Sequence, residues 1–178
     1  MMQAFKASES QRVRSSHLLT TADVNMFTLS AVVFFFLAFA AATDVEQCPG
    51  KSFEGLKDNV QLSPCKKLPC RLKRGSNQNI TIHFTTDKDI KEVKNEVTAT
   101  LLGLTLPFVG VDGLGICEKI VSENGDKSSC PLKAGTKYLY KDSFPILDVY
   151  PKIETTVHWA LKDGNNDVIC FKVPVKIV

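Results

Sequence analysis

The sequence predicts an all-β protein, built as a β-sandwich of two antiparallel sheets. The strongest observation is a strict alternation in which five positions share one face and five the other: Ile153, Thr155, Val157, Trp159 and Leu161 against Glu154, Thr156, His158, Ala160 and Lys162. A period of two describes a strand with one buried and one solvent-exposed face. Two further observations agree, because other short apolar runs are separated by turn residues and six cysteines follow an apolar leader.

The first two strands predicted from alternation lie in the first half of the domain. In the segment 79–86, the side chains of Ile80, Ile82 and Phe84 share one face. The segment 93–102 alternates less regularly and ends at a glycine. Both segments have the length of ordinary strands, and both are bounded by residues that favour turns.

The remaining strands lie in the last third of the chain. A run at 137–140 precedes a break expected at Pro145, and the Trp159 strand ends at Asp163-Gly164. The final run, 168–177, carries Pro174 on the opposite face from its apolar residues, which favours an edge position or a bulge. Outside the leader there is no sustained helical period and no internal repeat, so one domain is predicted.

The first 43 residues are predicted to lie outside this domain. Residues 26–42 form an uncharged apolar run that ends in Ala40-Ala41-Ala42-Thr43, small residues suited to signal peptidase. The run is short for a bilayer span, which needs about 20 residues. It therefore indicates a cleaved signal peptide, with a retained signal anchor as the alternative. The polar stretch 1–25 is either a long basic n-region or lies upstream of a true start at Met26.

The predicted domain, 44–178, is of single-domain length and nearly neutral. The leader holds three of the 22 basic residues and two of the 19 acidic ones, so the two signs almost balance in the remainder. That remainder lacks the broad positive surface typical of nucleic-acid binding. A chain of this size buries roughly two-thirds of its unfolded surface, so a core can form and disulfides supplement it.

The cysteine content predicts three disulfides, because an even number in an exported chain is usually paired. Spacing alone does not choose among the many pairings that six cysteines allow. The sequence is compatible with a small loop, a bridged hairpin and, by elimination, one long-range bridge: Cys65–Cys70, Cys117–Cys130 and Cys48–Cys170. A zinc site is not expected, because there is no C-x-x-C pair and no histidine cluster.

Enzymatic activity is not expected either. The predicted domain contains two histidines, His83 and His158, each inside a strand pattern. There is no Gly-x-Ser-x-Gly motif and no Ser/His/Asp order of the kind that marks a hydrolase. The carboxylates are scattered along the chain, and no cofactor is indicated.

Two surface features are predicted. The densest basic run comprises Lys66, Lys67, Arg71, Lys73 and Arg74. It is interpreted first as a solvated loop. The alternative is a docking site on an anionic membrane, where each basic charge contributes about 1 kcal/mol of binding free energy. The sequence Asn79-Ile80-Thr81 is an N-glycosylation sequon in an exported chain, so Asn79 is expected to be exposed and glycosylated.

Several motifs, in one order, resemble the ML lipid-recognition domain family. They are Ser63-Pro64-Cys65 with Pro69-Cys70, Ile82-His83-Phe84-Thr85, Leu106-Pro107-Phe108, Cys130-Pro131-Leu132-Lys133-Ala134-Gly135, and Tyr150-Pro151 followed by Ile153, Val157, Trp159, Leu161 and Asp163. The resemblance covers essentially all of 44–178. It is strongest to the soluble sterol carriers of the Niemann–Pick type C branch, with the group 2 mite allergens as more distant relatives.

The resemblance implies an immunoglobulin-like sandwich with an apolar cavity that admits a lipid between the sheets. It also implies the pairings Cys48–Cys170, Cys65–Cys70 and Cys117–Cys130. Three pocket positions carry over through the motifs, namely Phe108 after Leu-Pro, Ile146 after Pro145, and Tyr150 before Pro151 at the pocket mouth. Val157 and Trp159 complete the predicted lining, although their alternation alone favours a place at the edge of an ordinary core.

The function that the resemblance implies is the binding and transfer of a sterol or another lipid in a secreted or lysosomal setting. The expected partners are that lipid and, transiently, an anionic membrane or a membrane sterol transporter; the protein is expected to be a monomer. Two departures from the family pattern concern the ligand's identity: the segment 109–115 replaces a proline-rich stretch, and the loop between Cys117 and Cys130 is longer. They motivate one alternative, recognition of a microbial lipid or chemical signal. A third function, activation of a lipid hydrolase, is suggested by related ganglioside activators.

Overall fold

The computed structural model describes residues 42–178, which are nearly all β. Within them, ten strands follow one another: β1 (Glu46–Gln47), β2 (Val60–Ser63), β3 (Cys70–Leu72), β4 (Ser76–Thr85), β5 (Lys94–Leu101), β6 (Leu104–Pro107), β7 (Ile120–Ser122), β8 (Lys137–Ile146), β9 (Glu154–Asp163) and β10 (Asn166–Ile177). A four-residue helix, α1 (Leu56–Asn59), precedes β2, and a 3₁₀ turn at Cys117–Lys119 precedes β7. No helix in this part of the chain is long and apolar enough to cross a membrane.

The strands form two facing sheets. One has the order β1-β10-β9-β5-β6, with β3 pairing beside β10, and the other has the order β2-β4-β8-β7. The pairings are antiparallel except for β3 with β10, which runs parallel from Cys70–Val175 to Leu72–Ile177. The prediction of an all-β sandwich of two antiparallel sheets is confirmed, and β3 with β10 is the one parallel pairing among the described strands.

The alternation that predicted the strands forms two opposed apolar faces. In β4, every second residue from Gln78 to Phe84 is buried, and the residues between them are exposed or half-buried. In β9, Val157, Trp159 and Leu161 point into the same interior from the other sheet. These side chains from both sheets form one contiguous core. Their burial stabilises the fold by about 25 cal/mol per Å² of apolar surface removed from water.

The two prolines behave differently from each other. The break predicted at Pro145 is wrong, because β8 continues through it to Ile146. Pro145 lies opposite a residue of β4, while β7 pairs with β8 only as far as Tyr140, so one side of β8 has no strand partner at the proline. Along one side of β10, β1 pairs with residues up to Lys172 and β3 pairs from Val175 onward. Pro174 lies between these two stretches, where that side of β10 has no strand partner, as the edge interpretation predicted.

The three disulfides are the pairings that the resemblance implies. Cys48–Cys170 joins the start of the domain to β10 across a sequence separation of 122. Cys65–Cys70 closes a small loop before β3. Cys117–Cys130 brackets a short hairpin in which Val121 bridges Lys127.

The predicted signal peptide lies almost wholly outside the described residues, so the cleavage position stays a prediction. The folded contacts nevertheless begin one residue before the predicted boundary. Thr43 is buried, its N–H donates to the Val60 carbonyl at 3.1 Å, and its Oγ1 accepts from the Leu62 N–H at 2.8 Å. Thr43 is thus part of the packed domain.

The register of β4 with β8 distinguishes the two ends of the sandwich. At one end, Ser76 of β4 lies beside Ile146 of β8, and we call this the mouth end because Ile146 is a predicted pocket residue. At the opposite end, which we call the far end, Thr85 lies beside Lys137. The mouth end also holds the end of β10, since the Arg74 N–H donates to the terminal Val178 carbonyl at 3.0 Å.

Candidate functional site

The structure places the five predicted lining residues in or against one apolar core. Phe108 follows β6, Ile146 ends β8, Val157 and Trp159 belong to β9, and Tyr150 lies in the β8–β9 connection. The first four are buried, and Tyr150 is half-buried and packs against the same core. Their role in binding a ligand is a matter for proposal, but their position between the sheets follows from the fold.

An aromatic row runs from the mouth into the interior. It consists of Tyr150, Phe108, Phe144, Trp159 and Phe171, whose successive ring centroids lie 4.9, 5.9, 5.4 and 6.4 Å apart. Phe144 comes from the four-stranded sheet, whereas Trp159 and Phe171 come from the other, so the row crosses the sandwich. Ring pairs at these spacings each contribute about 0.5–1.5 kcal/mol beyond their buried area.

A hydrogen bond closes the mouth. The Tyr150 hydroxyl donates to the Val109 carbonyl at 2.9 Å, and we call this contact the tyrosine latch. Arg74 holds the other side of the loop, since its Nη1 donates to the carbonyls of Asp148 at 3.1 Å and Tyr150 at 3.3 Å. Burial raises the pKa of the Tyr150 phenol, so at neutral pH the phenol is protonated and can donate.

Behind the latch, the aromatic lining side chains pack against one another across the interior. Five clefts of residues 42–178 lie elsewhere on the surface, and none of these five is lined by any of the predicted residues. One of these clefts, of about 560 Å³, lies at the far end and is lined in part by Phe53, Phe84 and Tyr138.

The closed interior has a physical reason. An unfilled apolar cavity costs roughly 24 cal/mol per Å³, so a gap of several hundred Å³ would cost about as much as the whole stability of many domains. Side chains that move into the gap remove that cost. Phe108 and Phe144 meet edge to face, with an interplanar angle of 85°, and occupy the space between the sheets. The sequence predicted which side chains line the interior but not that they fill it.

Apolar side chains are exposed beside the latch. They are Leu102, Leu104, Leu106, Val109 and Val149, which are between 43% and 96% exposed; we call them the mouth patch. Leu104 and Leu106 alternate in step with buried Phe108, so the inner face of edge strand β6 continues outward into solvent. Exposed apolar clusters of this kind mark binding surfaces in soluble proteins more often than scattered single residues do.

The basic run divides into two parts. Lys66, Lys67, Arg71 and Lys73 are exposed, as the solvated-loop interpretation predicted, whereas Arg74 is half-buried and supports the latch loop. Since Arg74 lies at the mouth, the chain between β3 and β4 brings positive charge close to the mouth patch. The arrangement is thus compatible with both interpretations of the run.

Sequence reasoning missed two side chains of the interior. Gln78 is 2% exposed on the inner face of β4, and its Nε2 has no hydrogen-bond partner. Continuing the alternation of Ile80, Ile82 and Phe84 back by two residues would have found it. Phe144 was missed because a break was expected at Pro145.

A polar chain crosses the interior further from the mouth. Lys119 Nζ donates to Asp142 at 2.7 Å, the Tyr140 hydroxyl donates to Asp142 at 2.8 Å, and Asn95 Nδ2 donates to the Tyr140 oxygen at 2.9 Å. Burial raises the pKa of Tyr140, so its hydroxyl remains a donor. Asn95 and Tyr140 come from opposite sheets, so this chain fixes the sheets to each other beyond the aromatic row.

The two histidines of the domain lie on the outer faces of the two sheets, on β4 and β9. His83 is exposed on the outer face of β4. His158 lies 3.6 Å from Sγ of both Cys48 and Cys170, a grouping that resembles a metal site, but the disulfide between these cysteines removes the thiolates that a metal would need.

A disulfide-bonded sandwich with an aromatic interior and a latched mouth defines a binding module. Residues 42–177 match the family model described as ML domain. Because the match spans most of the chain, this protein belongs to the ML domain family, and the resemblance found in the sequence is confirmed.

Individual relatives agree with this assignment. The chain is 30% identical over 152 residues to the NPC intracellular cholesterol transporter 2 of Bos taurus, covering 82% of this chain and 95% of that protein. It is 33% identical over 108 residues to the ecdysteroid-regulated 16 kDa protein of Manduca sexta, covering 61% and 70%. The crystal structure of a Niemann-Pick type C2 protein from Japanese carpenter ant superposes with a TM-score of 0.57 at 24% identity over 67% of this chain and 89% of that one, which supports the fold.

Proposed function

We propose that this protein binds a sterol or a similar lipid between its two sheets and transfers it between membranes. The observation that carries the proposal is the aromatic row, which leads from a latched mouth into an interior lined mainly by apolar side chains. A ligand that enters there must separate Phe108 from Tyr150 and displace Phe108 from Phe144. The five predicted residues would then become its walls.

The energetics suit a carrier that must release its cargo. Enclosing about 400 Å² of apolar ligand surface contributes roughly 10 kcal/mol. Association costs of about 4–15 kcal/mol oppose this. Opening also separates aromatic ring pairs worth about 0.5–1.5 kcal/mol each, and the ligand then packs against the same rings. The net affinity is therefore moderate, and the closed state is a low-energy form to which the protein returns after release.

The relatives support the same conclusion. Several relatives that match most of the chain are named NPC intracellular cholesterol transporter 2, in Bos taurus and in Danio rerio among others. These names favour a non-enzymatic carrier over recognition of microbial lipid, for which no residue or contact of the described chain gives specific support. The positions of His83 and His158 also favour a carrier over a hydrolase.

The mouth patch is proposed as the surface that meets the donor or acceptor membrane. Val109 accepts the latch hydrogen bond, Val149 precedes Tyr150, and the three leucines lie on the β5–β6 hairpin that leads to Phe108. Lys73 and Arg74 lie in the β3–β4 turn, whose Arg74 supports the latch loop. Apolar side chains that insert shallowly, with basic residues facing anionic headgroups, would hold the mouth against the bilayer. A lipid could then pass from the bilayer to the interior without crossing water.

The compartment is proposed to be extracellular or lysosomal. Three disulfides require an oxidising route of synthesis. Asn79 is exposed on the outer face of β4, where a glycan would not disturb the interior. Loss of a glycosidase-sensitive mass shift in Asn79→Gln protein secreted from eukaryotic cells would test the modification.

The test of the function is transfer of cholesterol between vesicles by purified protein. Phe108→Ala and Tyr150→Ser remove two walls of the proposed site and should reduce transfer at least tenfold, if each loses about 1.4 kcal/mol or more of packing energy. Phe53→Ala truncates a half-buried phenylalanine of the far-end cleft instead and should leave transfer unchanged. Transfer that is equal in all four proteins would refute the assignment of the site.

A further inference from the structure

The interior of the proposed site contains an amide that nothing in the described chain satisfies. Gln78 is 2% exposed and is among the largest wholly enclosed side chains, yet its Nε2 donates no hydrogen bond. A buried donor without a partner is rare in folded proteins and is destabilising. A glutamine at this position therefore needs an explanation other than packing.

Gln78 lies beside the aromatic row and makes no hydrogen bond to the polar chain. It stands directly opposite Phe144 in the β4–β8 register. Phe144 in turn contacts both Phe108 and Trp159. The indole Nε1 of Trp159 is a second buried donor without a partner. The unsatisfied N–H groups of Gln78 and Trp159 thus both lie next to Phe144. A ligand that enters past Phe108 must displace Phe144 to go further.

The depth of Gln78 is set by its place in the strand. It is two residues inward from Ser76, which lies beside Ile146 at the mouth, so it is about 7 Å along the strand from the mouth layer. A ligand of sterol length that passes Ile146 reaches Gln78 and continues beyond it. The amide therefore faces the enclosed part of the ligand, where water cannot replace a missing acceptor.

We infer that Gln78 donates a hydrogen bond to a hydroxyl or carbonyl oxygen on the enclosed part of the ligand, so that the site selects oxygen-bearing sterols over hydrocarbons of the same shape. This inference rests on the proposed function and adds a specificity determinant to it. A neutral hydrogen bond in a dry site discriminates because the analogue without oxygen leaves the amide unsatisfied.

The test compares three probes: cholest-5-ene, which has the sterol skeleton without oxygen, cholesterol, and 25-hydroxycholesterol. Cholesterol against cholest-5-ene isolates the ring hydroxyl, and 25-hydroxycholesterol against cholesterol isolates the side-chain hydroxyl. In the wild-type protein, one of these oxygens should improve the dissociation constant about five- to tenfold. In Gln78→Met, the improvement in dissociation constant that this oxygen gives should fall to less than about twofold. Gln78→Leu replaces this variant if Gln78→Met does not fold, with the same expected result.

The control is Gln61→Met, the same substitution on neighbouring strand β2 at a half-buried position opposite Thr81; it should keep the wild-type ratio. A ligand-free Gln78→Met protein should also melt about 3–5 °C higher, because the unsatisfied amide is gone. Ratios that are the same in wild-type and Gln78→Met proteins would overturn the inference and leave the proposed function intact. Failure of every protein to bind any of the sterols would refute the proposed function itself.

Discussion

The ring of Phe108 lies 4.9 Å from the ring of Tyr150, centroid to centroid, with the two planes inclined by 55°. Phe108 follows an edge strand of the six-stranded sheet, whereas Tyr150 lies in the connection from β8 of one sheet to β9 of the other. The contact therefore spans the open edge of the sandwich, and the bond from Tyr150 to the Val109 carbonyl secures it. A lipid cannot reach the interior by this route until the pair separates.

Removing the latch hydrogen bond should speed exchange without destroying the site. Tyr150→Phe keeps the ring against Phe108 and deletes the bond to Val109, which is worth about 1 kcal/mol. We expect sterol association and dissociation both to accelerate about fivefold, with little change in affinity, in stopped-flow measurements with a fluorescent sterol. Unchanged rates would show that the latch does not control access.

The three disulfides should differ in their contribution to stability. In the chain-entropy model, the Cys48–Cys170 bridge, which closes a separation of 122, contributes about 5 kcal/mol, and Cys65–Cys70, which closes a separation of 5, about 2 kcal/mol. Replacing each pair with serines should lower the free energy of unfolding in that ratio, as measured by chemical denaturation. Equal losses from the two double variants would contradict the model.

Acid should weaken an ion pair at the far end. Burial alone raises the pKa of Asp167, but the hydrogen bond from Lys162 at 2.7 Å and the charges of Lys162 and Lys51 outweigh it, so the pKa lies below its ordinary value. The same bond raises the pKa of Lys162. The Asp167 contribution is present above about pH 4 and is lost as the pH falls through the lowered pKa; the Lys162 contribution is present below about pH 10 and is lost above it.

Asp167→Asn should therefore lower the free energy of unfolding by about 1–2 kcal/mol at pH 7, and the difference from the wild-type protein should vanish below about pH 3. Glu154→Gln, which removes a more exposed pair with Lys176, serves as the control and should have little effect at either pH. A difference between Asp167→Asn and wild-type protein that does not change between about pH 7 and pH 3 would contradict this assignment.

The mouth patch should control transfer more than binding. Leu102→Asn combined with Leu104→Asn removes two of its most exposed apolar side chains. Transfer between vesicles should slow about fivefold or more, because each leucine contributes on the order of 1 kcal/mol to shallow insertion. Equilibrium binding of sterol in detergent-free solution should not change. Leu114→Asn alters an exposed leucine outside the patch and should transfer normally; a loss of equal size there would contradict the role of the patch.

Local patterns predicted the long strands well. The alternation around Trp159 and from Ile80 to Phe84 depends only on which face is buried, so β9 and β4 were found within a few residues. The short strands β1, β3, β6 and β7 have too few residues to carry a pattern of their own, and β1 and β3 are defined by pairing with β10, which is distant in sequence. Pro145 misled for the same reason, because its tolerance depends on β7 ending early.

The candidate site divides in a similar way. Phe108, Ile146 and Tyr150 were located through motifs, and their packing into or against the interior agrees with that placement. The closed state was not foreseen, because it depends on how Phe108, Phe144 and Tyr150 meet across two sheets rather than on any one segment. Gln78 was overlooked since glutamine at an alternating position usually marks an exposed face, and only the burial of its neighbours reveals the opposite.

The most direct measurement is a crystal structure of the protein with bound cholesterol. We predict the sterol between the two sheets, in contact with Phe108, Ile146 and Tyr150, with the separation between the Phe108 and Tyr150 rings increased beyond 4.9 Å. A sterol seated instead in the far-end cleft beside Phe53 and Phe84, with the aromatic row unchanged, would contradict the proposed binding mode.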